Sequence, residues 1–322
     1  MSILYSYRTT PLSVTEKNAM YLCKKYGITR VTDTTKLDII GMPVYAAIRP
    51  NAEKGSLCVS SGKSTCRQSA KIGAMVEALE LRMAEIDLDR DTIHATSIKK
   101  FEEKLTFPIE EFCLHRQWLL AEDWKDDKTI RYVEGDCLIS NKKVPIPLEL
   151  VFFPIEKSLN DELFISSSNG LSGGNTKEEA IVHSLFEVIE RHVLSISNVT
   201  FNQTLVTEYY VHEFENIKKK LDSIGIDIKI TYCQNEFGLP MFVTYLIDSQ
   251  IINGVSICRG QGLHWNKDIA FMRAVTEAIQ SRLTNIHGGR DDIVNRYHHF
   301  NNLKEEEDSY NYMIKSFLIT HD

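Results

Sequence analysis

Three segments of this 322-residue chain place acidic side chains three residues apart. They read AKIGAMVEALE from Ala70, AIVHSLFEVIE from Ala180 and AFMRAVTEAIQ from Ala270. The paired positions are Glu77 with Glu80, Glu187 with Glu190, and Glu277 with Gln280. Carboxylate oxygens are the ligands that Mg²⁺ prefers, and Mg²⁺ in proteins commonly carries nucleotide phosphates. The three segments therefore indicate a site for an anion that is held through metal ions.

Each acid pair needs a helix to bring it onto one surface. With about 100° of rotation per residue, the first segment has an apolar stripe formed by Ile72, Met75, Val76 and Leu79. The second segment has an equivalent stripe, and Thr276 interrupts the third. A surface helix needs only one apolar face. We therefore predict three helices that pack on sheets through these stripes and carry their acids on the opposite side.

Glycine-containing segments precede all three predicted helices: SSGKST, SGGNT and RGQGLH. We expect each to be a turn whose backbone N–H groups face an anion at a helix N-terminus. Thr176 and Glu179 have the spacing of a capping box. Basic residues suited to the same anion are Lys63, Arg191, Arg273 and Arg282. The alternative interpretation is three similar structural helices with salt-bridged surfaces.

Composition excludes several classes of protein. The formal net charge is −7, whereas proteins that bind duplex nucleic acid present a basic surface to the phosphates. The sequence has no signal-peptide pattern and no run of about eighteen apolar residues, so we expect no membrane span. The seven cysteines form no C-x-x-C pair, which is typical of a reducing cytoplasm.

The rest of the pattern predicts an α+β fold with mixed sheets packed by helices. Helices are predicted over residues 14–26, closed by Gly27, and over VHEFENIKKKLDSIG. Strands are predicted over MPVYAAIRP, SLCVSS, WLLAEDW, YVEGDCLI, PLELVFF, IDIKITYC and MFVTYLID. No Pro/Ser-rich linker interrupts the chain. We therefore predict one domain with internal pseudo-repeats over residues 1–292 and a polar tail over residues 293–322.

Four stretches together resemble the YcaO family. They are ITRVTDTTKLDIIGMPVYAAIRP, VSSGKST with EALELRMAE, SSSNGLSGGNTKEEAIVHSLFEVIER and GQGLHWNKDIAFMRAVTEAIQSR. The chain resembles the TfuA-associated, thioamide-forming members more than the azoline-forming cyclodehydratases. The resemblance implies a single α+β domain around a nucleotide site, with ATP and Mg²⁺ as cofactors. It also implies that the protein activates backbone amides of a peptide.

The resemblance implies roles for individual residues as well. The metal-binding acids that it implies are Glu77, Glu80, Glu187 and Glu190. The nucleotide-binding residues that it implies are Ser172, Asn175, Glu179 and Arg191 in the second motif, Lys63, Glu277, Gln280 and Arg282 in the first and third, and Arg8 and Thr15 near the N-terminus. It assigns no catalytic nucleophile.

The implied chemistry is consistent with a sequence that is rich in acids at the site. An amide oxygen leaves poorly, but transfer of the γ-phosphoryl group of ATP turns it into a phosphate ester that departs once a nucleophile has added. Phosphoryl transfer asks the protein mainly for positioning and charge neutralisation. The proline-rich carboxyl end of azoline-forming members is absent from this sequence, which favours thioamide formation with a sulfide donor.

Three other functions stay open at this point. They are an azoline-forming cyclodehydratase, a non-catalytic nucleotide-binding scaffold of a peptide-modification complex, and an unrelated phosphatase or nuclease with clustered metals. The expected partners are a peptide or protein substrate, a TfuA-like or leader-peptide-binding protein, and a second copy of the chain in a homodimer. Nucleic acid and membrane are not expected as partners, and the expected location is the cytoplasm.

Overall fold

The computed structural model describes residues 8–112, 114, 128–156, 158–159, 161–200 (side chains to 197), 203–249, 256–290, 293 and 311. Its helices are α1 Leu12–Lys25, α2 Arg67–Ala84, α3 Ile98–Glu102, α4 Lys177–Thr200, α5 His212–Ser223 and α6 Lys267–His287. Its strands are β1 Arg30–Asp33, β2 Val44–Ile48, β3 Val59–Lys63, β4 His94–Ser97, β5 Thr129–Asp136, β6 Lys143–Pro147, β7 Gln203–Leu205, β8 Ile226–Cys233, β9 Met241–Asp248 and β10 Ile257–Leu263.

The chain divides into two compact units. The first comprises Met1–Asn51, Leu57–Glu80 and Ser172–Asp322, and the second comprises Ala52–Ser56 and Leu81–Leu171. In the described parts of both units, no helix has the length and apolar character needed to cross a membrane. The sequence-based boundary between residues 292 and 293 stays a prediction, because nearly all of the tail lies outside the described residues.

The first unit contains two antiparallel sheets, with strand orders β1-β2-β3 and β10-β9-β8-β7. Helices α1 and α2 pack on the first sheet around Ala47, Ala74 and Met75. Helix α6 covers one face of the second sheet through Phe271 and Val275. Helix α4 contributes Phe186 and Val193 to a separate core with Met241, Val243 and Leu263 of the second sheet. The three acid-bearing helices are thus packed largely by their apolar stripes, as predicted, although Leu185 of the α4 stripe is 47% exposed.

Several predicted elements of the first unit are confirmed. Helix α1 ends before Gly27, whose φ of 74° only glycine adopts without strain. The strands predicted over MPVYAAIRP and SLCVSS correspond to β2 and β3, which pair, and those predicted over IDIKITYC and MFVTYLID correspond to β8 and β9, which also pair. The α+β class is confirmed, and all strand pairs in the described part of the chain are antiparallel.

The second unit is built on the antiparallel sheet β4-β5-β6. Its core includes Ile98, Phe101, Ile109, Ile130 and Leu163. Strand β6 contains Pro145 and Pro147 and lies at the edge of the sheet. Proline is tolerated in an edge strand because its missing N–H is not needed for pairing on the open side. The predicted strand over PLELVFF is wrong, because the strand ends at Pro147 and a 3-10 helix, Leu148–Leu150, follows. WLLAEDW lies outside the described residues.

Two of the three predicted glycine turns are also wrong. Gly62 lies within β3, and Gly260 and Gly262 lie within β10. A Cβ atom on Gly62 would come within 2.1 Å of the backbone of α2, and one on Gly260 would come within 2.1 Å of the Ala278 nitrogen of α6. The glycines therefore let each helix lie directly on its strand. SGGNT, in contrast, does precede α4 as an irregular segment.

We predict that Gly260→Ala destabilises the protein by about 2–3 kcal/mol, because the new methyl group would have to displace helix backbone rather than a side chain. Chemical denaturation gives the free energy of unfolding. Gly73→Ala is the matched control, because its Cβ would meet the Gly62 Cα at an ordinary 3.4 Å and alanine favours the interior of α2. Equal stability of the two variants would contradict the close-approach argument.

Candidate functional site

We call α2, α4 and α6 the repeat helices. The second residue of the pair on each helix (Glu80, Glu190 or Gln280) contacts the segment that leads into the next repeat helix. The contacts run from Glu80 of α2 to the segment before α4, from Glu190 of α4 to the end of β10 before α6, and from Gln280 of α6 to β3 before α2. In detail, Gly173 N–H donates to Glu80 Oε1, Leu263 N–H donates to Glu190 Oε2 at 2.8 Å, and Gln280 Nε2 donates to Ser61 O at 2.8 Å. These contacts close a cycle α2–α4–α6–α2, which we call the repeat cycle.

The first acid positions of α2 and α6 bond to the strands that precede their own helices. Glu77 Oε2 accepts from Ser61 N–H at 3.0 Å, and Glu277 Oε1 accepts from Gln261 N–H at 3.4 Å. Glu277 Oε2 also pairs with Lys63 Nζ at 2.9 Å. Ser61 donates its N–H to Glu77, and the carbonyl oxygen of Ser61 also needs a hydrogen-bond partner, which must be a donor. This explains why position 280 carries glutamine, whose amide can donate, where the equivalent positions of α2 and α4 carry glutamate.

The predicted metal-binding acids are held in an environment that opposes their negative charge. Burial raises the pKa of all four carboxyls, to about 8 for Glu80 and about 7 for Glu190. Repulsion from Glu77 and Glu187 raises the pKa of Glu80 further, and Glu277 does the same for Glu190. The donated N–H groups of Gly173 and Leu263 lower these values in part. The charges of Arg8, Arg273 and Lys63 lower them as well, but these contributions do not offset burial.

These residues fit a hard cation that brings ligands of its own. The acids present oxygen donors, and a divalent ion would supply further positive charge. Among the described residues, no three His, Cys, Asp or Glu side chains group closely enough to hold a metal ion by themselves. Mg²⁺ usually takes one or two carboxylates and completes its shell with phosphate oxygens and water. The arrangement suits Mg²⁺ that arrives with a nucleotide better than a metal site made wholly of protein ligands.

A second cluster surrounds Glu179 at the start of α4. Its carboxylate accepts from Thr9 N–H at 2.7 Å, Thr9 Oγ1 at 2.8 Å and Asn175 N–H at 2.9 Å, and Arg8 Nη1 lies 3.3 Å away. Thr15 Oγ1 donates to Asn175 Oδ1 at 2.8 Å. Burial raises the pKa of Glu179, but the hydrogen bonds from Thr9 and Asn175 outweigh it and bring the pKa to about 2. The structure therefore brings together four predicted nucleotide-site residues: Arg8, Thr15, Asn175 and Glu179.

The capping box at the start of α4 forms only in part. Thr176 Oγ1 accepts from Glu179 N–H at 3.2 Å, as predicted. The Glu179 carboxylate bonds to the Asn175 and Thr9 backbone instead of reaching back to Thr176. Nearby, Ser172 Oγ donates to the Ala180 oxygen at 2.6 Å and ties the irregular segment to the first turn of α4.

Arg191 and Arg282, predicted to bind the nucleotide, have different surroundings. Arg191 is 53% exposed, and its Nη2 lies 3.7 Å from Glu187 Oε1. Arg282 is buried, with its guanidinium 3.3 Å from Asp38 Oδ1 and 3.0 Å from Asp248 Oδ2. These contacts do not support the nucleotide-binding role predicted for Arg282, because they place it in a buried ion-pair network. Its partners are distant in the sequence, so helical spacing could not reveal the pairing.

The sequence patterns did not predict Thr9 and His183 as members of the site. Thr9 gives Glu179 two hydrogen bonds, and no pattern in the sequence marks it. His183 stands four residues after Glu179 and four before Glu187, so helical spacing alone would have placed it on the same surface. Arg273, expected at an anion site, lies 3.2 Å from His183 Nε2 through its Nη2.

Comparison with known sequences identifies relatives. A family model described as YcaO cyclodehydratase, ATP- and Mg²⁺-binding, matches residues 61–319. An uncharacterised protein of Methanothermobacter thermautotrophicus is 32% identical over 275 residues, which cover 83% of this chain and 68% of that protein. A protein in the tfuA 3′ region of Rhizobium leguminosarum bv. trifolii is 28% identical over 284 residues, which cover 84% of this chain and 65% of that protein.

Solved structures share the fold. A heterocyclase in complex with substrate and cofactor gives a TM-score of 0.71 at 20% identity and covers 85% of this chain, which spans 40% of that protein. YcaO from Methanopyrus kandleri, bound with AMPPCP and Mg²⁺, gives a TM-score of 0.66 at 22% identity and covers 89% of this chain and 72% of that one. At these identities the likeness concerns the arrangement of helices and sheets.

We predict that the metal-free protein loses stability as the pH rises from about 4.5 to about 8. Unfolded carboxyls have a pKa near 4.5, whereas burial raises the pKa of Glu80 to about 8 and that of Glu190 to about 7. Between these values the folded chain binds more protons, so the free energy of unfolding falls with pH. Thermal melts in a chelator should show this fall, and Glu80→Gln should reduce it. An unchanged pH slope in Glu80→Gln, compared with the exposed control Glu236→Gln, would contradict the burial of Glu80.

We also predict that Gln280→Glu destabilises the protein by about 2 kcal/mol or more at pH 8.5. The new carboxylate would face the Ser61 oxygen without a hydrogen to donate, beside Glu277. Gln280→Met is the matched control, because it removes the donor without adding charge and should cost about 1 kcal/mol. Urea unfolding at two pH values measures both effects. If the two variants were equally stable at pH 8.5, the proposed reason for the amide at position 280 would be wrong.

Proposed function

Because the chain belongs to the YcaO family and has that family's ATP- and Mg²⁺-binding domain, we propose that it phosphorylates the oxygen of a backbone amide in a peptide or protein. The observation that carries the proposal is the repeat cycle. It fixes Glu80 of α2 and Glu190 of α4 through backbone N–H groups, and burial raises the pKa values of both carboxyls, so added positive charge would stabilise their ionised forms. Glu187 and Glu277 do pair with Arg191 and Lys63, whereas a surface of structural salt bridges would pair every acid in this way. Glu77, Glu80 and Glu190 bond to backbone N–H groups instead.

The chain's own residues contribute positioning and charge to this reaction. Glu77, Glu80, Glu187 and Glu190 would hold Mg²⁺, and Glu77, Glu80 and Glu190 are already fixed by backbone N–H groups. Fixed charges of this kind need little reorganisation when the reacting groups acquire charge. When bound, ATP supplies the phosphoryl group that makes the amide oxygen a good leaving group. The Glu179 cluster would fix the N-terminal residues Arg8 and Thr15 at the nucleotide.

Sulfide is the nucleophile that we propose, and the product is then a thioamide in a ribosomally made peptide or protein. A C–S bond forms as sulfide adds to the activated amide carbon, and the C–O bond breaks as phosphate leaves. Support comes from the relative in the tfuA 3′ region, which also motivates a TfuA-like partner that assists sulfide delivery. No disulfide joins the six cysteines that the structure describes, which is compatible with the cytoplasmic location that we propose.

Azoline formation is the second candidate. The matching family model is described as a cyclodehydratase, and one solved structure of the same fold is a heterocyclase in complex with its substrate. The activation step would be the same, but the nucleophile would be a Cys, Ser or Thr side chain of the substrate. The oxygen would again leave as phosphate.

We predict peptide-dependent phosphate release with a defined mass change. The protein would be incubated with Mg²⁺, ATP, sulfide and synthetic peptides that cover the polypeptides encoded beside its gene. A mass gain equal to the difference between sulfur and oxygen indicates a thioamide, and loss of one water indicates an azoline. Glu187→Gln should lower turnover by about 10- to 100-fold, whereas the exposed Glu236→Gln should leave it unchanged.

ATP binding without peptide-dependent phosphate release and without a mass change would contradict amide activation and favour the non-catalytic scaffold. Phosphoester hydrolysis that needs neither ATP nor peptide would favour the phosphatase or nuclease reading.

A further inference from the structure

The imidazole of His183 lies on the surface of α4 that carries the acids. It follows Glu179 by four residues and precedes Glu187 by four, and residues at this spacing share one side of a helix. Its Nε2 lies 3.2 Å from Nη2 of Arg273 on α6. The other end of the Arg273 guanidinium donates from Nη1 to the Leu263 oxygen at 3.4 Å.

The contact with Arg273 determines which ring nitrogen carries the proton. A guanidinium is always protonated and can only donate, so His183 Nε2 must accept. Burial and then the charges of Arg273, Arg8 and Lys63 lower the pKa of His183 to about 3, which keeps the ring neutral at physiological pH. The single proton of the neutral ring therefore sits on Nδ1, and His183 presents an N–H donor there.

That donor is buried and lacks an acceptor. A hydrogen-bonding interaction with the Gly173 backbone raises the pKa of His183 in part. Its geometry is too poor to satisfy Nδ1, which has no well-formed hydrogen bond to any residue that the structure describes. A buried donor without an acceptor costs about 1–3 kcal/mol, and such groups in native proteins usually mark a ligand, ion or water that completes them.

The charges around the ring indicate which kind of acceptor is missing. Arg8, Lys63 and Arg273 all act on His183. Arg8 and Lys63 pair with Glu179 and Glu277. Arg273 donates to a carbonyl oxygen and to the imidazole, and its charge also acts on Glu187 and Glu190. Positive charge beside an unused N–H donor favours an anionic oxygen over a peptide carbonyl.

We propose that His183 donates from Nδ1 to a phosphate oxygen of the bound nucleotide, with Arg273 as the positioning residue that fixes the ring's tautomer. The inference deepens the proposed function, on whose nucleotide site it rests. It adds a neutral donor to a site that the sequence motifs describe only through charged and small polar residues. Because the ring stays neutral, its hydrogen bond would be retained from pH 6 to 9.

Isothermal titration with AMPPCP and Mg²⁺ tests the inference without relying on turnover. His183→Asn keeps a donor near the position of Nδ1, His183→Gln keeps only a partner for Arg273, and His183→Leu keeps neither. We expect the Asn variant to bind AMPPCP nearly as tightly as the wild-type protein. The Gln and Leu variants should bind it about tenfold more weakly, as for one lost hydrogen bond to a charged group. His192→Leu is the matched control, because His192 is 51% exposed on the same helix.

Adenosine, used as a competitor, separates a phosphate contact from a general change in the site. His183→Leu should bind adenosine as wild type does. Equal weakening for adenosine and AMPPCP would overturn the phosphate assignment. So would unchanged AMPPCP affinity in a folded Leu or Gln variant, or a loss of thermal stability alone, which would assign His183 to holding the Gly173 segment. Failure of the wild-type protein to bind AMPPCP would count against the proposed function instead.

Discussion

The repeat cycle is the constraint on which the rest of the site depends. Three helices that are far apart in the sequence each use the same position, three residues after the first acid, to reach the segment before the next helix. Burying a carboxylate is unfavourable unless donors compensate it, and here backbone N–H groups compensate Glu80 and Glu190 only in part. The cycle fixes where the remaining negative charge lies before any ligand arrives.

Glycine in the strands brings two of the three helices, α2 and α6, close to the strands that precede them. Without a Cβ at Gly62 or Gly260, the axis of the helix comes close enough for short contacts between glutamate side chains and strand backbone. The second repeat departs from this plan, because an irregular segment replaces the strand before α4. Two backbone N–H groups of this segment donate to Glu80 and Glu179. Arg8 and Thr9 contact Glu179, and Thr15 contacts Asn175 of this segment. In the function that we propose, this asymmetry between the repeats gives one side of the site to the nucleotide.

The sequence predicts the helices and the register of their acids because both follow from a local period of 3.6 residues. The structure confirms the three helices and the α+β class, and it shows Arg8 and Thr15 beside Glu179. Packing contacts were not predictable in the same way. Glycine in SSGK and RGQG serves close packing against a helix, yet the same letters are typical of turns. Arg282 has the motif's spacing but pairs with Asp38 and Asp248, which only the tertiary fold brings near.

Two glutamates of the first unit show how the fold assigns different tasks to one residue type. Glu179 collects backbone and hydroxyl donors, and these bring its pKa to about 2, so it is ionised at any physiological pH and anchors the N-terminal residues. Glu80 has one backbone donor, two acidic neighbours and a buried carboxyl, and its pKa rises to about 8. A cation that binds there must displace protons, which couples metal binding to ionisation of the cluster. In the phosphoryl transfer that we propose, the protein contributes mainly charge neutralisation and positioning at this place. Neither contribution needs a side-chain nucleophile.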